Sequence, residues 1–585
     1  MRNRLRSLAQ WLTLGIVGAA AFAYVASGLG SPGAPDRAGD LQEVNVARGT
    51  VEPSGDMPSK EQAWDEGASQ DHSAAPSMRV GDAAVAADLN DEFRRHWQAR
   101  GVEPAPPAAW ETVCCRLTLA LVGTGMSLEE IRSLERLPES RRVAHWLDRL
   151  LEDPRFHNYW GERLARTYVG SESGPFIAFR RHRFVRWLTE ALAENRPYDR
   201  LLEQLVTAEG LFTDRPEVNF LTVTLDSAED GKPDPIRLAA RSSRAFLGMR
   251  IDCLQCHDDF LGNVELGTAS QTRTGTQQDF HRLAAFFGSA RYNGFQGVQN
   301  GQRPYRYQYL GDDEETEVVP AVPFAADLVD PAVSDPRQRL ADWMTHPQNP
   351  QTARAFVNRV WALLFGKPLA TPVDEIPLHG PLPPGLDRLA DDVVDHDWDL
   401  RRLIRVIVAS DVFQIDSRAA HPVDERHEQA WALFPLTPLR PEQVAGSIIQ
   451  ASRIKTVDRG GSFLIELQKL MESNDFVKRY GDTGEDAFSF EPITITQRLL
   501  LLNGKLVGEQ TQHNPILNAC THISMFTDEA DQAIEATYLT TLNRNPSEAE
   551  RTHFTARLEA APSRRKAIED LSWVLMNSTE FAWNH

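Results

Sequence analysis

Cysteine is scarce in this chain, 5 of 585 residues, and that scarcity excludes a scaffold built on disulfides. Positive charge is also in deficit: 62 Lys and Arg stand against 82 Asp and Glu, a net charge of −20. A broad basic face that could release the counterions of a nucleic acid is therefore not expected, and nucleic acid is not an expected partner. The chain contains no G-x-S-x-G elbow, no G-x-x-x-x-G-K-[S/T] loop and no H-E-x-x-H helix. Serine-hydrolase, nucleotide-binding and zincin readings thus lack a starting residue. There is no fixed-period repeat, which disfavours a solenoid or propeller. Core material is plentiful, with 42% of residues apolar and 25% charged, the balance of an ordinary folded protein long enough for several domains.

Arg2, Arg4 and Arg6 precede a stretch without charge that runs to Asp36, and the apolar part, Trp11 to Leu29, is about long enough to cross a bilayer. The basic flank on the N-terminal side directs everything after it outward. Residues 1–30 are therefore expected to be a signal peptide or an uncleaved signal anchor. The protein is expected to be exported, periplasmic or held to the outer face of the cytoplasmic membrane. Residues 31–85, rich in Ala, Gly, Ser, Pro and Asp with no sustained apolar period, are expected to form a disordered linker.

The body that follows has helical patterning, and the fold class expected is mainly α: two helical domains, 86–287 and 335–585, joined by a short irregular, β-containing segment, 288–334. Ser127-Leu-Glu-Glu130 and Ser547-Glu-Ala-Glu550 are capping boxes. Arg141 to Leu151 and Phe184 to Leu192 carry apolar residues three and four apart and stop at Pro154 and Pro197. Thr352 to Phe365 forms one apolar stripe ending at Gly366, and Leu400 to Val412 is nearly continuous in apolar residues. Helices are also expected over Gln497 to Leu506, Glu535 to Leu542 and Ala567 to Phe581. The connecting segment differs, with Tyr292, Phe295, Tyr305, Tyr307 and Tyr309 among Gly and Gln, which suggests short strands.

Chemistry is concentrated at Cys253-Leu-Gln-Cys256-His257, a C-x-x-C-H sequence. Two thiols three positions apart can form thioethers to the two vinyl groups of one porphyrin, and the next imidazole can ligate its iron. Composition alone would supply this pattern on the order of 0.001 times in the chain, and export agrees with it, since c-type haem is attached outside the cytoplasm. Covalent haem c is the expected cofactor. A structural disulfide, a redox-active dithiol and a clip for another metal remain open. Candidates for a sixth iron ligand are His281 first, then Met249, His182 and His157. Asp258 and Asp259 either orient His257 or face solvent, and Arg237, Arg241 and Arg244 either pair with haem propionates or solvate the surface. Cys114 and Cys115 read as buried thiols within a helix, and Cys520 with His522 lacks a second pair for a metal site. No catalytic residue is assigned.

The phrase from Phe246-Leu247-Gly248 to Cys253-Leu-Gln-Cys256-His257-Asp258, followed by Gln278-Asp-Phe-His281-Arg-Leu-Ala-Ala-Phe-Phe287, resembles the planctomycete cytochrome-C-associated domain of unknown function. Asn349-Pro-Gln-Thr-Ala-Arg354, Phe356-Val-Asn-Arg-Val-Trp361, Phe365-Gly366 and Trp398-Asp-Leu400 are similar to the companion domain that usually follows it. Leu439-Arg-Pro-Glu-Gln443, Leu502-Asn-Gly504 and Asn577-Ser-Thr-Glu-Phe581 extend that second resemblance. Motif and resemblance together lead to the expectation of an exported protein with haem at Cys253, Cys256 and His257, acting in electron transfer or an oxidative step, with polymer catabolism as the setting the family implies. Many members continue as His-Asp-His-Pro-Phe, whereas this chain reads His257-Asp-Asp-Phe-Leu261, so a ligand role for that second His is absent. The small cytochrome domain that often precedes the pair is also missing, so an electron chain is expected to use the Cys253–His257 site alone or a redox partner protein. The rival expectations are a non-enzymatic exported scaffold or binding module and a haem-independent enzyme using carboxylates of the C-terminal half.

Overall fold

The structure, a computed structural model, describes residues 80–170, 179–225, 232–268, 270–301, 304–457, 494–503 and 518–585, with Tyr480, Phe488 and Val507 as single residues. The expected signal or anchor, and the linker up to residue 79, lie outside the described residues. Among the described residues no helix is long and apolar enough to cross a membrane.

The body from Ala75 onward is a single compact unit and is mainly α. Its first part contains α1 (Val80–Arg100), α2 (Trp110–Val122), α3 (Leu128–Glu135), α4 (Glu139–Leu151), α5 (Pro154–Val169), α6 (Arg181–Ala193), α7 (Tyr198–Thr207), α8 (Pro235–Phe246) and α9 (Gln277–Ala285). Then come α10 (Pro336–Met344), α11 (Pro350–Phe365), α12 (Leu386–Asp395), α13 (Leu400–Ala409) and α14 (Pro441–Ala451). The last part holds α15 (Ile495–Asn503), α16 (Ala519–Phe526), α17 (Ala530–Leu542), α18 (Glu548–Ala560) and α19 (Arg564–Met576).

Four helices begin in the same way. Asp153-Pro154, Asp234-Pro235, Asp335-Pro336 and Asn349-Pro350 open α5, α8, α10 and α11, with the acidic or amide side chain accepting a backbone N–H near the helix start. Proline has no N–H to leave unpaired there and its φ already suits a helix. Pro154 therefore starts α5 as well as ending α4. Both expected capping boxes form, Ser127 with Glu130 and Ser547 with Glu550.

Three elements differ from their sequence-based bounds. Helix α1 begins at Val80, inside the expected linker, because Leu89, Phe93 and Trp97 bury one face of it against α12 and α13. The run from Leu400 breaks at Ser410, whose extended backbone and hydroxyl, donating to the Ile407 carbonyl at 2.6 Å, end α13. The last helix stops at Met576, and a 3-10 turn, Glu580–Ala582, lies beyond it. Residues 504–506 of the expected Gln497–Leu506 helix lie outside the described residues.

Strands are few and paired in twos: β1 (Glu265–Thr268) with β2 (Gln271–Thr274), β3 (Ala290–Asn293) with β4 (Gly297–Asn300), β5 (Arg306–Tyr307) with β6 (Thr316–Glu317), and β7 (Thr437–Pro438) with β8 (Trp583–Asn584), all antiparallel. Two of these ribbons occupy the 288–334 segment. That segment does not divide the core. One apolar cluster runs from Val85 to Phe434, with Leu539 of α17 added, and includes Trp146, Trp160, Phe246, Leu283, Trp343 and Trp361, so residues on both sides of the segment share it. A second cluster, from Leu439 to Phe581, gathers α14 and the last helices together with Leu119 of α2.

Buried cations join the two clusters. Arg116 of α2 donates Nε to the carbonyl of His585 at 2.8 Å and Nη1 to the carbonyls of Phe413 and Ile415 at 3.2 and 2.8 Å, while its guanidinium lies 3.7 Å over the Phe434 ring. Burial lowers its pKa to about 9. Arg163 of α5 pairs with Glu442 of α14 at 2.7 Å, and Arg440 reaches both Glu442 at 3.2 Å and the Tyr159 hydroxyl at 2.9 Å. Burial pushes the Glu442 carboxyl up, but the two guanidiniums outweigh it and hold the group below its ordinary range. Replacing Glu442 with Ala leaves two buried guanidiniums without their carboxylate. Urea unfolding should show a loss of about 3 kcal/mol; a loss within the range of an ordinary surface change, under about 0.5 kcal/mol, would contradict this account of the junction.

Candidate functional site

The C-x-x-C-H sequence follows α8 through a turn that requires glycine. Gly248 has φ +57°, and a Cβ there would lie 2.8 Å from Cδ1 of Ile376 and 3.2 Å from Cβ of Ala355 on α11. Its carbonyl accepts the Ile376 N–H at 2.8 Å, so the entry to the motif is tied to the C-terminal half. Asp252–Gln255 then form one 3-10 turn, in which Leu254 is fully buried in the main cluster while Cys253 and Cys256 face solvent. Neither thiol is in a disulfide.

A single carbonyl holds this turn from below. The Gln255 carbonyl oxygen accepts from Nε2 of His281 at 3.0 Å, Nε2 of Gln277 at 3.1 Å and the Tyr307 hydroxyl at 3.4 Å. Because a carbonyl only accepts, the His281 proton sits on Nε2, and Nδ1 accepts from the Tyr305 hydroxyl at 2.9 Å. The His281 ring lies 3.4 Å from the Tyr307 ring centroid and meets Tyr309 edge-on at 5.7 Å. Burial, partly offset by the Gln255 carbonyl, lowers the His281 pKa. His281, the first candidate for a sixth iron ligand, is thus fully buried with both nitrogens engaged, and in this structure it positions the motif.

The distal side of the loop is fixed by carboxylates. Asp259 accepts the N–H groups of Val264, Leu261 and Gly262 at 2.6, 3.0 and 3.1 Å, and these bonds, the Val264 one foremost, lower its pKa. Asp258 accepts the Gln277 N–H at 2.8 Å. Gly275 passes so close that a Cβ would lie 2.6 Å from Leu254 and 3.0 Å from Val264. The acidic pair therefore braces the backbone, a role not among those read from sequence. Arg273 and Thr276 hold Asp279 at the start of α9, and against the opposing effect of burial they keep its pKa low.

The open face of the site consists of Cys253, Cys256, His257, Phe260 and Leu261. Nδ1 of His257 lies 2.7 Å from the Asp258 carbonyl and so carries its proton there, leaving Nε2 with a lone pair and no hydrogen-bond partner among the described residues. Phe260 stacks near the imidazole with centroids 6.2 Å apart; it is 83% exposed and Leu261 85%. Partial burial, then the charges of Asp259 and Asp252, raise the Cys253 pKa. The donor set suits a c-type haem: two exposed thiols outside any disulfide, an imidazole turned by its other nitrogen, and apolar side chains beside them. Among the described residues no three His, Cys, Asp or Glu side chains are grouped closely enough to hold a metal ion by themselves.

The other candidates lie elsewhere. His157 on α5 is near the Leu151 carbonyl at 3.2 Å and Arg401 at 3.3 Å, Met249 is buried in the main cluster, and His182 is exposed on α6. Cys114 and Cys520 are buried thiols, and Cys115, whose Sγ lies 3.4 Å from Oδ1 of Asn543, is pushed by burial up to about 12. Sequence reasoning missed Gln255 and Gln277, since a glutamine bracing a loop has no spacing signal. The alternation Tyr305, Tyr307, Tyr309 was visible, but only as strand composition.

Fold and motif together define a mainly α protein that displays a C-x-x-C-H loop. Within that class, residues 89–292 match the family PSCyt2, a protein of unknown function (DUF1549), and residues 336–489 match PSD1, a protein of unknown function (DUF1553). The chain carries these two domains of unknown function in that order. No curated protein and no solved structure matches it.

Two measurements check this geometry. In the haem-free chain, a thiol reagent should modify two of the 5 cysteines rapidly and all of them after unfolding; rapid modification of none would mean the motif thiols are bonded or covered. His281→Phe keeps the ring stack and removes both hydrogen bonds, and should cost about 2–4 kcal/mol at pH 7.5. Since the folded His281 pKa lies below its ordinary 6.5, its contribution is complete above that pH and is lost as pH falls through it. Wild type should therefore lose more stability between pH 7.5 and 5.5 than the variant does, and equal losses would assign the acid sensitivity to other groups.

Proposed function

We propose that this is an exported electron-transfer protein of the cytochrome-associated kind, with one c-type haem bound through thioethers to Cys253 and Cys256 and ligated by Nε2 of His257. The observation that carries the reading is the divided state of His257: Nδ1 is committed to the Asp258 carbonyl and Nε2 is open beside two exposed thiols. When bound, the haem would supply one-electron exchange at its iron. The chain's own residues do the rest. Gln255, held by His281, Gln277 and Tyr307, fixes the turn that spaces the thiols. Asp259 fixes the backbone that leads away from His257. Phe260 and Leu261 offer apolar contact, and the acidic surface suits a basic redox partner outside the cytoplasm. The N-terminal apolar run would deliver the protein there, as a cleaved signal or an anchor.

The test is to express the full chain with haem-attachment machinery and export. The expected product keeps haem through denaturing electrophoresis, gives a c-type pyridine haemochrome spectrum with about one haem per chain, and has no rapidly reacting thiol at Cys253 or Cys256. Cys253→Ala/Cys256→Ala should abolish covalent haem. A colourless wild-type chain under these conditions would overturn the reading and leave an exported scaffold or binding module.

A further inference from the structure

A second site, separate from the C-x-x-C-H thiols, lies where α8 faces α11. Arg237, Ala240, Arg241 and Arg244 recur at the spacing of one helix face and line a cavity of about 260 Å3 with Arg359 of α11, Thr167 of α5, Ala245, Val373 and Asp374. Among the described residues the lining thus carries four guanidiniums and one carboxylate. That carboxylate is already taken: Asp374 accepts from Arg244 at 2.7 Å and from Arg250 at 2.9 Å. Burial raises its pKa, but the two arginines outweigh this and keep it ionised.

Arg359 is the unbalanced member. It is 9% exposed, and the partners of its terminal nitrogens are long and uncharged, the Thr167 hydroxyl at 3.4 Å and the Arg244 carbonyl at 3.5 Å. Its Nε is buried with no hydrogen-bond partner among the described residues. A buried cation is normally paired, because taking it out of water without a counter-charge is costly. Elsewhere in this chain buried guanidiniums have strong acceptors: Arg163 pairs with Glu442 and Arg155 with Glu130, and Arg116, without an ion pair, donates to three backbone carbonyls. Arg237, on the exposed rim, likewise has no ion pair among the described residues.

We propose that this cavity binds a small molecule through a tetrahedral oxyanion group, a phosphate or sulfate monoester or the free ion. Guanidiniums approaching from two helices present donors in several directions, which suits a group with three or four oxygens better than a planar carboxylate. The cavity is several times the roughly 30 Å3 share of one water and close to the lower end of small-molecule sites, about 300 Å3. The small side chains of Ala240, Ala245 and Val373 leave that room. Arg244 also lies 3.6 Å from Asp252, the residue before Cys253, so an occupant would sit within one ion pair of the motif.

Calorimetric titration of the purified full chain with sodium phosphate, and separately with sodium sulfate, at fixed ionic strength in chloride, tests the site. One saturable site per chain is expected for at least one ion, and the tighter of the two names the ester. Arg237→Gln, at an exposed position, should weaken binding by about tenfold through loss of a charge-assisted contact, and Arg359→Gln should weaken it further. If Arg359→Gln does not fold, Arg237→Gln alone decides. No saturable binding of either ion, or binding unchanged in Arg237→Gln, would overturn the proposal. Binding present in Cys253→Ala/Cys256→Ala but lost in the haem-loaded chain would assign the arginines to porphyrin carboxylates and would also overturn it. A colourless chain that still binds phosphate or sulfate would sink the haem reading alone.

Discussion

A helix that buries fourteen of its sixteen residues must be surrounded, and α11 is such a helix. It belongs to the C-terminal matched domain, yet its apolar residues share one cluster with those of the N-terminal one. Its polar residues then dictate what surrounds it. Asn358 donates to the Ala370 and Val373 carbonyls at 2.8 and 3.2 Å and accepts the Ala370 N–H at 2.8 Å, while Gln351 donates to the Ile376 carbonyl at 3.0 Å. Each bond is obligatory once the group is out of water. Together they lay the 370–376 segment against α8, and that segment supplies Asp374 to the arginine cavity and Ile376 to the turn that enters the C-x-x-C-H sequence. Both candidate sites therefore depend on how one helix is enclosed.

The motif combines a rigid base with an open rim. Below it, one carbonyl gathers three donors and a buried imidazole stacks on tyrosine; above it, the thiols, His257 and two apolar side chains are exposed. A loop held in this way would need little reorganisation to bind a ligand on its open rim, because order held by buried hydrogen bonds is not given up on binding.

Charge is distributed unevenly. The chain is strongly acidic overall, and beside buried carboxylates such as Asp82, Glu130 and Asp392 it buries five arginines: Arg116, Arg163, Arg337, Arg359 and Arg440. Guanidinium is the cation that tolerates such positions, since it is planar, weakly hydrated and able to satisfy several carbonyls at once. Arg116 and Arg337 are held chiefly by backbone carbonyls, Arg163 and Arg440 by Glu442, and Arg359 by neither kind of strong acceptor. The exception stands out because the rule is otherwise kept.

Local chemistry was legible in the amino-acid order: the Ser127 and Ser547 capping boxes, the apolar stripe from Thr352 to Phe365, the strands of the tyrosine-rich segment and the C-x-x-C-H pattern all depend on residues a few positions apart. The helix break at Ser410 and the start of α1 at Val80 were not legible, because a hydroxyl bond and a remote packing partner decided them. Spacing likewise marked Cys253, Cys256 and His257 as a unit, but it could not show that His281 is committed to Gln255 and Tyr305, or that Arg359 meets Arg237, Arg241 and Arg244. Sequence determines what a residue can do and which near neighbours share its face. Whether a nitrogen is open or engaged, and whether a guanidinium has a counter-charge, depends on groups brought together across 24 and 26 residues at His281 and across 115 and 192 at Arg359, and only tertiary packing decides that.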